Sequence, residues 1–253
     1  MLLECQGLEV SVQARVLVAD LQLAVREGEM LAVLGPNGAG KTLLMHTLAG
    51  VREPGRGEVR VRGRAIAHWP RRELARLIAL LPQTIEDPCP ATVLETVLLG
   101  RHPHISRWKW EGPEDIDIAR QALRAVGLEG YGQRDVFTLS GGERRRTAIA
   151  AVLAQAPALF LLDEPTNHLD PSHQLETLQL MRARADAGAA VLVTVHDPNL
   201  AARFADRVLL IESAGRWRCG VVPDTLTAEN LSRLFATRFE CIERESRRLF
   251  FQA

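Results

Sequence analysis

Residues 35–42 hold the first pattern with chemistry in it. They read Gly35-Pro36-Asn37-Gly38-Ala39-Gly40-Lys41-Thr42, the spacing G-x-x-x-x-G-K-[ST]. An apolar run over 31–34 precedes them, and a helical pattern over 41–49 follows, with Gly50 placed to stop it. Glycines at these positions let a loop turn its backbone N–H groups inward around phosphate oxygens, at the positive end of the helix dipole. Lys41 adds a point charge for the β and γ phosphates, and the Thr42 hydroxyl is the expected magnesium ligand.

A second constellation follows downstream. The run Ala158-Leu159-Phe160-Leu161-Leu162 reads as a buried strand ending in Asp163 and Glu164, where parallel sheets put their ligand crevice. Neighbouring side chains on a strand point to opposite faces, so both carboxylates reach one site only if the strand stops there. Pro165 supplies the stop. Asp163 is then the expected partner of the magnesium ion, and Glu164 the group that polarises the attacking water.

These loops need a sheet to hold them. Short apolar runs alternate with longer helical patterns along the 253 residues, which predicts an α/β fold with a mostly parallel core sheet. Buried strands are expected at 31–34, 159–163, 190–195 and 207–211, with helices over 171–186 and 199–204. Strands at 8–12, 21–25 and 58–61 predict a small antiparallel β layer, while 84–156 read as a nearly all-helical insertion and 222–253 as a closing helix and hairpin of a single domain, 1–253. Lys plus Arg and Asp plus Glu balance at 31 each, which removes the electrostatic argument for nucleic acid, and Arg144-Arg145-Arg146 reads as a solvated helix face. The most apolar stretch, 147–162, is broken by Gln155 and Pro157 and falls short of the ~20 residues of a membrane span. With no signal-peptide pattern at the start, a cytosolic location is expected. Cys5, Cys89, Cys219 and Cys241 form no C-x-x-C pair and are expected as reduced thiols.

The cradle by itself leaves kinases, GTPases and helicases open. Further motifs narrow the choice: Leu139-Ser140-Gly141-Gly142-Glu143 resembles the signature motif of the ATP-binding-cassette (ABC) family, Pro82-Gln83 its Q-loop, Asn167-His168-Leu169-Asp170 its D-loop, and Thr194-Val195-His196-Asp197 its switch histidine. The order matches as well. The resemblance implies a P-loop NTPase fold, ATP and Mg2+ as cofactors, and a second copy of the chain as partner. It places Ser140, Gly141, Gly142, Glu143 and Asp170 against nucleotide, Gln83 at the magnesium or the water, and His196 as γ-phosphate sensor. Ser140-Gly141-Gly142 itself reads as a helix start with a hydroxyl cap and bare amides, a second anion-binding end. In the family the signature of one copy closes over the P-loop of the other.

The stretch Thr92-Val93-Leu94-Glu95-Thr96-Val97-Leu98-Leu99-Gly100-Arg101-His102-Pro103-His104 resembles ATPases of type II importers, which take up ferric siderophores, haem or cobalamin. That likeness implies an integral membrane permease and a periplasmic or surface binding protein as partners, with the chain peripheral on the cytoplasmic face of the cell membrane. A tail helix over 226–235 and hairpin over 239–250 are similar too. Two features depart from the family: no aromatic stands in Ser11-Val12-Gln13-Ala14-Arg15 to stack on adenine, and Arg145 and Thr147 occupy positions where Gln and Val are usual. His102 and His104 sit among prolines without a carboxylate partner in view, against a metal site. The competing function is a soluble ABC ATPase of translation or DNA repair, but those usually carry two cassettes or a coiled-coil insertion. A purely regulatory module would have lost Lys41 or Glu164, and both are present.

Overall fold

The computed structural model describes residues 1–13, 15–85, 90–106, 109–244 and 247–253. Ala14 and Cys89, and parts of the expected helical segment at 86–89 and 107–108, lie outside the described residues. The chain runs β1 (Leu3–Val12), β2 (Arg15–Val25), β3 (Met30–Leu34), α1 (Lys41–Leu48), β4 (Arg56–Val61), β5 (Arg64–Ala65), α2 (Arg71–Leu77) and β6 (Ile78–Leu81). Then come α3 (Val93–Leu98), α4 (Pro113–Ala125), α5 (Gly141–Ala154), β7 (Leu159–Leu162), α6 (Pro171–Asp186), β8 (Ala190–Thr194), α7 (Pro198–Phe204) and β9 (Arg207–Ile211). It closes with β10 (Trp217–Val221), α8 (Val222–Thr225), α9 (Ala228–Phe235), β11 (Phe239–Arg244) and β12 (Arg247–Gln252).

A six-stranded sheet in the order β10-β9-β3-β8-β7-β6 forms the centre, parallel except for β10, which runs antiparallel to β9. Its inner strands are apolar, apart from Thr194 at the end of β8 and Arg207 at the start of β9, because both faces are covered. Along β3, Met30, Ala32 and Leu34 enter one core with the helices α5, α6 and α7, while Leu31 and Val33 enter the other with α1 and the four-stranded antiparallel layer β2-β1-β4-β5. Register brings the strand ends level: Val33 pairs Thr194, Val193 pairs Leu162, and Leu162 pairs Leu81. The loops beginning at Gly35, Pro82, Asp163 and Val195 therefore leave one edge of the sheet side by side.

Helices α3, α4 and α5 lie between β6 and β7 in the chain and pack together through Val93, Val97, Ala119, Leu123, Ile149 and Leu153. Gly100 is required here, since a Cβ on it would sit 2.1 Å from the Ala151 carbonyl oxygen. Arg101 beside it is buried, with Nε donating to Asp115 at 2.9 Å and Nη1 to the Ala154 carbonyl at 2.8 Å.

Several boundaries differ from expectation. β1 and β2 are longer than 8–12 and 21–25, because register breaks between Cys5 and Leu8, at left-handed Gly7, reset the two-residue alternation. β7 ends at Leu162 and β8 at Thr194; Ala49 caps α1 and is not its last residue. Among the described residues, 83–156 are less helical than expected, with three α-helices and two short 3-10 turns joined by irregular chain, while the tail helix expected over 226–235 is α9, preceded by the separate turn α8. The expected strands and helices did not include β5, β6, β10 or α2. The arginine run is corrected as well: Arg145 is 2% exposed, not a solvated face residue. Thr147 fills a valine-shaped place because its hydroxyl bonds the Glu143 carbonyl one turn back, at 2.9 Å. His102 does have a carboxylate nearby, Glu111 at 3.8 Å, and the His104 ring contacts the Gln155 carbonyl oxygen at 2.9 Å. Cys5, Cys219 and Cys241 are free. Among the described residues no helix is long and apolar enough to cross a membrane, and no group of three or more His, Cys, Asp or Glu is arranged to hold a metal ion by itself.

Candidate functional site

A cleft of about 790 Å³ opens at the carboxyl edge of the sheet. Asn37, Gly38, Gly40, Lys41 and Thr42 line its floor. Gly38 and Gly40 have φ of 76° and 98°, the left-handed region that turns successive N–H groups into the cleft. At Gly40 a Cβ would also meet the Leu17 Cβ at 2.9 Å, so the loop rests directly on β2. Lys41 Nζ donates back to the Gly35 and Pro36 carbonyls at 2.8 and 3.2 Å, and Ala39 N–H bonds Pro36 O at 3.2 Å, closing the cradle. Burial lowers the Lys41 pKa, with the charges of Glu164 and Asp163 opposing the change.

At one end of the cleft stand Gln83, Glu164 and His196. Glu164 Oε1 lies 2.7 Å from His196 Nε2, and Oε2 accepts from Gln83 Nε2 at 2.9 Å and from Asn167 Nδ2. The Thr42 hydroxyl is 3.4 Å from Gln83 Oε1. Burial alone would raise the Glu164 carboxyl, but the His196 charge and hydrogen bond, the Asn167 amide and the Lys41 charge together hold it below the ordinary carboxylate range. It is thus ionised at neutral pH and able to accept a proton. Glu164 itself has φ 49°, which swings its side chain out of strand alternation and solves the problem of two adjacent carboxylates facing one site.

Asp163 is fully buried. Its Oδ1 accepts the Thr194 hydroxyl at 2.7 Å, and the same hydroxyl oxygen accepts the Glu164 N–H at 2.6 Å. Oδ2 is buried and has no hydrogen-bond partner among the described residues. A buried carboxylate oxygen left without a donor fits a divalent cation better than it fits a packed core. With the Thr42 hydroxyl and Gln83 carbonyl alongside, the donor set is all oxygen, as magnesium prefers.

The signature residues lie elsewhere. Ser140 caps α5 in a reciprocal box with Glu143: its Oγ accepts the Glu143 N–H at 3.3 Å, and the Glu143 carboxylate accepts the Ser140 N–H at 2.8 Å. The N–H groups of Gly141 and Gly142 remain for a ligand. Neither Ser140, Gly141, Gly142 nor Glu143 lines the cleft of the same chain. Gly142 abuts the D-loop, where a Cβ would come 3.1 Å from the His168 carbonyl oxygen. Asp170 is not in the cleft either; it caps α6, bonding His173 N–H at 3.0 Å, and those bonds hold its carboxyl well below the usual range.

At the far end, Val12, Gln13, Arg15 and Leu17 face the cleft in place of an aromatic ring. Sequence reasoning gave no separate role to Asn167 or Thr194. The one available signal for Thr194 is a hydroxyl residue ending a wholly apolar strand.

The sequence profile described as "ABC transporter" matches residues 18–167. The chain belongs to this family. It is an ATP-hydrolysing ABC subunit, and the relatives agree with the cleft. It is 45% identical over 235 residues to the hemin import ATP-binding protein HmuV of Gloeobacter violaceus, spanning 90% of this chain and 85% of that one. It is 36% identical over 241 residues to the iron(3+)-hydroxamate import ATP-binding protein FhuC of Bacillus subtilis, spanning 95% and 90%. Among solved structures, a metal-chelate type ABC transporter in an inward-facing conformation superposes with TM-score 0.85 at 30% identity, over 100% of this chain and 96% of that one. The ABC cassette MJ0796, as a dimer in a post-hydrolysis state with ADP and phosphate, gives TM-score 0.76 at 26% identity, over 87% and 98%.

Proposed function

We propose that the chain drives uptake of an iron chelate, siderophore or haem, or of cobalamin, as one of two identical ATPase subunits on the cytoplasmic face of a membrane permease served by a binding protein. The observation that carries the mechanism is the cluster of Glu164, His196 and Gln83 beside the unpartnered Asp163 Oδ2, in a cleft that the chain's own signature residues do not line. The P-loop amides and Lys41 hold the phosphates. Thr42, Asp163 and Gln83 would hold Mg2+, whose charge would offset that of the phosphate oxygens. Glu164 takes the proton of the attacking water, and His196 orients that carboxylate and senses the γ phosphate. Ser140, Gly141 and Gly142 close over the ATP of the second copy, with Glu143 holding the cap and Asp170 fixing the D-loop beside it. In this reading 84–156 form a helical subdomain within the single domain 1–253, and 222–253 its closing helices and hairpin.

Cargo recognition belongs to the membrane and binding subunits. The test is to extract membranes carrying the tagged chain in mild detergent, identify what co-purifies, and measure uptake into proteoliposomes. The expected outcome is a permease whose transport of haem, ferric siderophore or cobalamin requires ATP. Recovery with ribosomes or DNA, without a membrane protein, would favour the soluble ATPase instead.

A further inference from the structure

Arg145 has no part in the roles above, yet it is almost fully buried and sits beside both catalytic loops. Among the described residues, its hydrogen-bond partners are all backbone carbonyls. Nη1 donates to Pro82 O at 2.7 Å and Gln83 O at 3.4 Å; Nη2 donates to Asp163 O at 2.5 Å and Glu164 O at 2.8 Å; Nε donates to Pro165 O at 3.4 Å. All three guanidinium nitrogens are used. Burial pulls the pKa down to about 10, with the Asp163 and Glu164 charges acting the other way, so the group stays protonated at neutral pH. A buried cation is costly to keep, and a planar fork that reaches two loops at once is the property a lysine lacks.

The carbonyls belong to the segment carrying Gln83 and the segment carrying Asp163 and Glu164. Both have just left the sheet; the last pairing bond there is Asp163 N–H to Leu81 O at 2.9 Å, the Glu164 N–H rests on the Thr194 hydroxyl at 2.6 Å, and the Arg145 fork ties the two segments to each other and to α5. Glu164 in particular sits at φ 49°, a conformation that persists only where its surroundings fix it. Arg145 stands on the second turn of α5, whose first residues are the signature glycines. A helix moves as a rigid rod over so short a span. Displacing its N-terminus displaces the guanidinium, and with it both loops.

We propose that Arg145 is a positioning residue that links the two nucleotide sites of the dimer: ATP of the second copy, held at Ser140–Gly142, sets Gln83 and Glu164 around the chain's own ATP through the Arg145 fork. This rests on the shared-site function proposed above. Information then passes within one chain, from its signature end to its catalytic end, and the two sites fire together.

The test compares Arg145→Met, which keeps length but has no donor, with Arg145→Gln, which keeps two donors, in the full-length chain. ATP affinity, kcat and the Hill coefficient for ATP are measured per mole of nucleotide-binding sites. Wild type is expected near a Hill coefficient of about 2, the number of sites. Arg145→Met is expected to bind ATP within about threefold of wild type, lose at least about 30-fold in kcat, since misplacement by about 1 Å costs on the order of 100-fold, and fall to a Hill coefficient of about 1. Arg145→Gln should lie between on both measures. A residue that only supports folding would lower the active fraction and leave the Hill coefficient untouched. Arg145→Met with kcat and Hill coefficient within about twofold of wild type would overturn the proposal; if that variant does not fold, Arg145→Gln kinetics indistinguishable from wild type would do so. In a Glu164→Gln chain the added Arg145→Met should leave the ATP-dependent dimer intact. A double variant that binds ATP but stays monomeric overturns the linkage, because Arg145 would then act on the anion site itself. Failure of Glu164→Gln alone to dimerise would instead count against the shared-site function.

Discussion

Replacing Thr194 by Val keeps the shape of a fully buried side chain and removes one hydroxyl, and that hydroxyl is what joins Asp163 to the Glu164 backbone. Two losses follow. The Glu164 N–H is left unsatisfied, a cost of about 1–3 kcal/mol, and Asp163 loses a bond to a charged group, typically about 1.5–3 kcal/mol. Asp163 Oδ2 has no donor to compensate, so nothing local takes over. With partial relaxation we expect about 3 kcal/mol, which for a chain of this size lowers Tm by roughly 6–12 °C. Divalent cation should restore more stability to the variant than to wild type, because Mg2+ neutralises the carboxylate that Val strands. The assay is thermal melting with and without Mg2+ and ATP, beside Thr194→Ser as the control that keeps the hydroxyl. A Thr194→Val chain melting within about 3 °C of wild type, with no added response to Mg2+, would refute the assigned network.

Lys41→Ala should abolish tight ATP binding, since the loop amides cannot replace its charge; a fluorescent ATP analogue bound within about twofold of wild type would contradict this. Gly100→Ala should destabilise by at least about 2 kcal/mol, because its Cβ would lie 2.1 Å from the Ala151 carbonyl oxygen and α5 must shift; thermal melting reads it, and an unchanged Tm would disprove the close approach. Discrimination between ATP and GTP should be weak, as Val12, Gln13, Arg15 and Leu17 offer no ring to read the base; a preference beyond a hundredfold in turnover, about 2.7 kcal/mol, would reveal an adenine contact.

The cradle and the acidic strand are legible in sequence because parallel strands buried on both faces read as unbroken apolar runs, and the loops after them carry the polar residues. Strands whose faces differ are harder to see. β1 hides behind a bulge that shifts its alternation at Gly7, and β10, Trp217-Arg218-Cys219-Gly220-Val221, is a half-buried edge strand with no clear period. Arg145 was illegible for another reason. A charged residue between two other arginines looks solvated, and only the meeting of two distant loop carbonyl sets around α5 gives it a buried place. Asp170 shows the converse: its motif was plain in the sequence, but within one chain its carboxylate serves as a helix cap.

In the shared-site function proposed above, ATP is held between two copies, each supplying what the other lacks. Glu164→Gln keeps the shape of the carboxylate but cannot take a proton, so ATP should bind and persist. Sedimentation of that chain with ATP and Mg2+ is predicted to show a stable dimer that dissolves on adding Ser140→Arg, whose bulk blocks the second anion site. A Glu164→Gln chain that stays monomeric at saturating ATP, both isolated and with its membrane partner, would contradict a shared ATP site.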